Sequence, residues 1–160
     1  MGGATVRTRM RQRVLKPFPH SMPAILMRAR EAVMARVRPV LREHDVTEPQ
    51  WRVLRTLSSV QEVEVTQLAD MVFLLPSSLS RILRDLGERG LILRRTSDED
   101  MRRGLVSISD RGCALIEAAS PAAADVNAEI ERLFGAERMT TLLTLLAELE
   151  QTLGTGAPEA

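Results

Sequence analysis

One hundred and sixty residues suffice for one domain with an arm and a real hydrophobic interior. A balance of 44% apolar and 27% charged residues excludes wholesale disorder. The formal net charge of +1 hides an asymmetry: ten Lys/Arg against two acids over residues 1–44, ten against eleven over 45–116, and two against eight over 117–160.

That gradient suggests nucleic acid or an acidic partner at the basic end, yet a basic tail with no specific role would give it too. Charge alone does not decide. No apolar run approaches the ~20 residues of a membrane helix, and no secretory apolar core precedes Met22. The single cysteine, Cys113, excludes a disulfide framework or a multi-cysteine zinc site, and makes the cytoplasm the expected compartment. With 2% aromatics and no tyrosine, a base-stacking surface for single strands is disfavoured.

Residues 1–21 read as a disordered basic arm, in which Arg7, Arg9, Arg11, Arg13 and Lys16 precede a Pro17, Pro19, Pro23 cluster. Met22 directly precedes the first periodic segment, a position where translation could also begin. Residues 24–43 then predict a helix, with Leu26, Ala29, Val33, Met34, Val37, Val40 and Leu41 on one apolar arc. Pro39 should kink it, and Arg30 intrudes into the arc.

Three short helices are expected next. Thr47-Glu48-Pro49-Gln50 carries a capping box before Trp51, Val53, Leu54 and Leu57. Thr66 is the expected cap of the second, which should bury Leu68, Ala69, Val72 and Phe73. Pro76-Ser77-Ser78 opens the third, which runs through Leu79, Ile82, Leu83 and Leu86 and ends at Gly90 as C-cap. The period then changes to that of a two-stranded hairpin, Leu91–Thr96 and Leu105–Ser109, around a charged tip. Helices over 110–133 and 136–153 close the chain. Met139, Leu142, Leu146, Leu149 and Leu153 form a seam in the last, suited to a partner helix.

Thr66 to Gly90 has helix-turn-helix chemistry. Ala69 provides the small residue at the crossing, and Leu79 and Ile82 can lock the second helix on the first. Ser77, Ser78, Ser80, Arg81 and Arg84 would then face base edges and phosphates in the major groove. An ordinary helical hairpin with a solvated Arg/Ser face would show similar residues. Phe73 stands where many such turns carry glycine, so the turn should be longer or differently shaped. The hairpin that follows would make a winged helix, with Arg102 and Arg103 as candidates for the minor groove and Asp100 for ordering the tip; the alternative is a solvated turn rich in charges.

The run LSRILRDLGERGLILRRTSDEDMRRGLVSISDRG carries a recognition helix, Gly90-Leu91-Ile92, the Asp-x-Arg-Arg wing at Asp100, Arg102 and Arg103, and Asp110-Arg111-Gly112. From about Ile25 to Leu153, some four-fifths of the chain, the sequence resembles the MarR family of bacterial transcription regulators. The stretch RAREAVMARVRPVLREHDVTEPQWRVLRTL looks most like the branch that regulates homoprotocatechuate (4-hydroxyphenylacetate) degradation operons.

The resemblance implies a mainly α fold with a small β-hairpin wing, in a winged helix-turn-helix homodimer. Its parts would be a basic arm (1–21), an N-terminal dimerisation helix (22–46), the DNA-binding lobe (47–110), C-terminal dimerisation helices (111–153) and a tail (154–160). It further implies a pseudo-palindromic double-stranded operator and a small aromatic acid as effector. Arg30 could pair with that carboxylate, Trp51 and Arg55 could supply an aromatic wall and a second cation, and His44 a donor. The alternative places Arg30 in an ion pair across the dimer interface, Trp51 in the core and His44 at a surface or cap.

Other classes find little support. His20, His44 and Cys113 are too scattered for a metal sensor, Cys113 reads as a small packing residue and not a redox switch, and no cofactor is expected. No nucleophile–base pair or phosphate-cradling loop suggests an enzyme. The remaining competitor is a dimeric helical protein-interaction module without specific DNA binding.

Overall fold

The computed structural model describes residues 18–96 and 103–154. In chain order the elements are α1 (Met22–Glu43), α2 (Glu48–Leu57), β1 (Val63–Glu64), α3 (Val65–Met71), α4 (Pro76–Glu88), β2 (Ile92–Thr96), β3 (Gly104–Ile108), α5 (Asp110–Phe134) and α6 (Ala136–Leu153). The chain forms two compact units, Met1–Met34 and Ala35–Ala160. In the first, Phe18–His20 make a single 3-10 turn where the sequence suggested the end of a disordered arm; residues 1–17 lie outside the described residues.

Pro39 sits within α1 without ending it, as does Pro121 in α5. The capping box of α2 is present in full: Thr47 Oγ1 accepts from the Gln50 amide at 3.5 Å, and the Thr47 amide donates to Gln50 Oε1 at 2.7 Å. The core of the second unit is aliphatic. Leu54, Leu57, Leu68, Val72, Leu79, Leu83, Leu86 and Val106 are fully buried, and they come from α2, α3 and its C-cap, α4 and β3. Side chains of this kind contribute about 1.5–3 kcal/mol each on burial.

Three expectations are corrected. The sheet has three antiparallel strands in the order β1-β3-β2, because Val63 and Glu64 pair with Val106 and Leu105 on the free edge of the hairpin. Consequently α3 starts directly after that ladder, with Glu64 at the N-cap position and no side-chain cap bond; Thr66 lies inside the helix. Phe73 is 73% exposed, not buried, because the turn places it at φ +50, out of line with the apolar face of α3. It occupies the left-handed conformation that glycine takes at no steric cost.

At the other end of α4, Arg89 is the C-cap and Gly90, at φ +68, turns the chain into β2. There Ser109 joins three elements. Its hydroxyl donates to the Gly90 carbonyl at 2.7 Å, accepts from the Gly112 amide at 3.1 Å, and so caps α5 against the end of α4. Gly112 is buried at this junction. A Cβ there would overlap the Leu91 carbonyl oxygen and lie 2.7 Å from Ile108 Cγ1, so the position admits only glycine without rearrangement.

Candidate nucleic-acid interface and effector residues

The second helix of the helix-turn-helix, α4, is sharply two-sided. Leu79, Leu83 and Leu86 are fully buried, while Ser77, Ser78, Ser80, Arg81 and Arg84 are all exposed. Ala69 and Leu79 are buried and Ile82 half-buried, in keeping with the packing expected at the helix crossing. Pro76 occupies the first turn of α4, Leu75 is its N-cap, and neither a side-chain cap nor an acidic residue occupies that end. The first-turn amides therefore remain open to an anion, and the helix dipole favours one there. Hydroxyls, two guanidiniums and free amides on one exposed face form a surface suited to phosphate and base edges.

A cavity of about 500 Å3 runs beside this face, bordered by Ser78, Arg81 and Arg84 on α4 and by Gln50 on α2. Gln50 Nε2 donates to Asp85 Oδ2 at 2.5 Å, which ties the start of α2 to the recognition helix. Arg89 lies 3.7 Å from the same carboxylate.

On the wing, Arg103 is exposed just before β3, and its Nη1 is 2.8 Å from Glu64 Oε1. Asp100 and Arg102 lie outside the described residues. Arg95 on β2 grips Glu62 with both arms of its fork, Nε to Oε1 at 2.9 Å and Nη2 to Oε2 at 2.6 Å. Glu62 immediately precedes β1 and Glu64 is its second residue, so the wing is braced to the strand that leads into α3. Sequence reasoning missed Glu62, Glu64 and Arg95. The alternation Glu62-Val63-Glu64, with only the valine buried, was the signal of a strand edge.

Of the effector candidates, the structure brings Trp51 and Arg55 together on α2, with the guanidinium carbon 6.0 Å from the ring centroid. Trp51 is half-buried and Arg55 exposed. That separation lies at the edge of the cation–π range. His44 is half-buried in the turn after α1, where its amide donates to the Leu41 carbonyl. Arg30 is exposed on α1 in the first unit and borders a cavity of about 470 Å3 with Ala24, Met27, Arg28 and Glu31. Cys113 is half-buried in the first turn of α5. Among the described residues, no group of three or more His, Cys, Asp or Glu side chains is placed to hold a metal ion. Nor is any described helix long and apolar enough to cross a membrane.

Known proteins share this arrangement. The model of the MarR family matches residues 46–103, which span α2 to the foot of the wing. The homoprotocatechuate degradative operon repressor of Escherichia coli is 35% identical over 128 residues, covering 80% of this chain and 86% of that one. NadR in complex with 4-hydroxyphenylacetate aligns with a TM-score of 0.71 at 33% identity, over 84% of this chain and 96% of that one. CouR bound to a 23-mer DNA duplex aligns with a TM-score of 0.75 at 25% identity, over 81% of this chain and 92% of that one. With an exposed reading helix, a braced wing and a relative of this similarity across most of both chains, this chain belongs to the MarR family of winged helix-turn-helix transcription regulators.

Proposed function

We propose that the protein is a homodimeric repressor of aromatic-compound catabolism, released from a pseudo-palindromic operator by an aromatic acid such as homoprotocatechuate, 4-hydroxyphenylacetate or a related benzoate or cinnamate. The carrying observation is the exposed Ser77-Ser78-Ser80-Arg81-Arg84 face on a helix whose N-terminal amides are open. CouR bound to a DNA duplex and the E. coli homoprotocatechuate operon repressor support the DNA-binding and repressor parts. NadR bound to 4-hydroxyphenylacetate supports the effector class. The protein acts by binding, without catalysis, in the cytoplasm where its operator is.

The dimer rests on unused apolar surface. On α1, Met22, Ile25, Leu26, Met27 and Val33 are exposed, and α6 buries no residue while exposing Leu142, Leu143, Leu145 and Leu153. A two-fold pair would place its reading helices in half-sites ~10 bp apart. Trp51, Arg55, His44 and Arg30 are the proposed effector contacts, and Asp100, Arg102 and Arg103 the proposed wing contacts.

Fluorescence anisotropy with a duplex that the protein selects from a random pool tests this reading. Arg81→Ala and Arg102→Ala should each weaken binding about 5- to 100-fold, the loss expected for one good base or groove contact. If neither changes the affinity, the DNA-reading assignment is wrong and a protein-interaction module becomes the better description.

A further inference from the structure

The turn between α3 and α4 displays apolar side chains that neither the core nor the proposed DNA and effector contacts use. Met71, Phe73 and Leu75 are 45%, 73% and 72% exposed, while Val72 is fully buried and Leu74 half-buried. Three exposed apolar residues in five form a patch, not a stray side chain. The backbone beneath them is held firmly. The Val72, Phe73 and Leu74 amides donate to the Leu68, Asp70 and Ala69 carbonyls at 3.0, 3.2 and 3.0 Å. Arg52 Nη1 donates to the Val72 carbonyl at 2.8 Å.

Leu75 is the member of this patch that joins the reading helix. It is the N-cap of α4, at φ −62 and ψ 141, and its carbonyl accepts from the Leu79 amide at 3.0 Å. Pro76 follows at the start of the helix and restricts Leu75 to the extended region, so the direction of its Cβ is set in advance. Leucine is among the poorest N-cap residues, because it has no oxygen to accept from the first-turn amides. At this exposure it gains little by burial either. A residue that serves neither capping nor packing stands two positions before Ser77, at the end of the helix that meets base edges in a helix-turn-helix.

Its chemistry selects a target. Hydroxyls and guanidiniums read donors and acceptors, but thymine also presents a 5-methyl group in the major groove, which an apolar side chain gains by covering. A phosphate oxygen or an amino group set against leucine would lose water and find no partner. We propose that Leu75 is a specificity-determining residue that reads a thymine methyl group in each operator half-site. Cytosine lacks that methyl, so a change from T·A to C·G leaves Leu75 against a hydrated polar edge. The inference rests on the reading of the protein as a DNA-binding regulator, and adds a contact of a different kind from the serines and arginines of α4.

Replacing thymine by uracil deletes the methyl group alone, and fluorescence anisotropy with a duplex selected from a random pool reads the effect. At one thymine position, substituted in both half-sites, uracil should weaken wild-type binding about fourfold per half-site, the equivalent of burying one methyl group. Leu75→Ser should bind the thymine and uracil duplexes alike at that position. Its thermal unfolding midpoint should match or exceed that of wild type, because serine is a good N-cap. Leu75→Asn, an equally good cap, should behave the same way, and Phe73→Gly should keep the wild-type sensitivity. Comparing variants on each pair of duplexes cancels any effect of uracil on the DNA itself. Uracil effects that are absent, or equal in wild type and both Leu75 variants at every position, overturn the methyl contact and leave the DNA-binding reading intact. Loss of the sensitivity in Phe73→Gly as well would assign it to the shape of the turn and overturn Leu75 as the contact. A wild-type protein that selects no duplex overturns both readings.

Discussion

The amide of Gln50 joins two structures at once: its oxygen accepts from the Thr47 amide to complete the cap of α2, and its nitrogen donates to Asp85 on the reading helix at 2.5 Å. The hydrogen bond to an ionised carboxylate is the stronger kind. Gln50→Glu separates the two roles. Glutamate also completes a capping box, but it sets a second negative charge against Asp85. The variant should keep a near-wild-type melting temperature and lose about tenfold in duplex affinity, the equivalent of ~1.4 kcal/mol in positioning. Gln50→Ala should lose both. Equal effects in the two variants would mean that the tether does not orient α4.

Salt dependence separates the roles of the arginines. A phosphate contact contributes about 0.9 to the slope of log affinity against log salt, whereas a base contact contributes mainly discrimination. Arg84→Ala should flatten the slope by about one and weaken all duplexes alike. Arg81→Ala should instead narrow the gap between selected and random duplexes. Titrations across a range of salt concentrations would show whether the two behave differently.

Gly112→Ala should be among the most damaging small substitutions in the protein. Its methyl would meet the Leu91 carbonyl, which is backbone and cannot swing aside, as well as Ile108. Overpacking of this kind costs about 1–3 kcal/mol, and here the upper end is expected, with a clear fall in thermal midpoint. A midpoint within a degree or two of wild type would mean that α5 shifts freely away from the wing.

Phe73→Gly should act in the opposite direction. The ring is 73% exposed, so little burial is lost, and the strained φ of +50 is relieved. A left-handed non-glycine residue costs roughly 1–2 kcal/mol, of which glycine's greater freedom in the unfolded chain returns part. A stabilisation of about 0.5–1 kcal/mol is expected by chemical denaturation, with duplex affinity unchanged. Destabilisation would show that the exposed ring has a packing role.

Arg30→Ala should leave duplex affinity intact and abolish the release by an aromatic acid that acts through the Arg30 site. Anisotropy with a 4-hydroxyphenylacetate titration checks it, and normal release would remove Arg30 from the effector site.

Much of this was readable from the chain itself, because the signals are local. The capping box at Thr47 and Gln50, the apolar face of α4 and the alternation in β3 each lie within a few residues. The exposed row on α4 could be read as the complement of Leu79, Leu83 and Leu86. What escaped depends on distant partners. Arg95 finds Glu62 at a separation of 33 residues, and Arg103 finds Glu64 at 39, so only the folded sheet selects those carboxylates. Thr66 has the chemistry of a cap, but the pairing of Val63 and Glu64 starts the helix earlier. Phe73 continues an apolar pattern, yet the backbone turns before its side chain can join the core.

The two residues of β1 have an effect beyond their size. They close the sheet and then enter α3 without a linker, while β3 passes through Ser109 into α5. Little slack is therefore left for the wing to fray while the reading helix stays folded. Amides at Val63, Val106 and Leu83 should exchange with deuterium together, as a single cooperative unit. A lesion at the strand edge would then be felt as lost recognition in a groove it never touches.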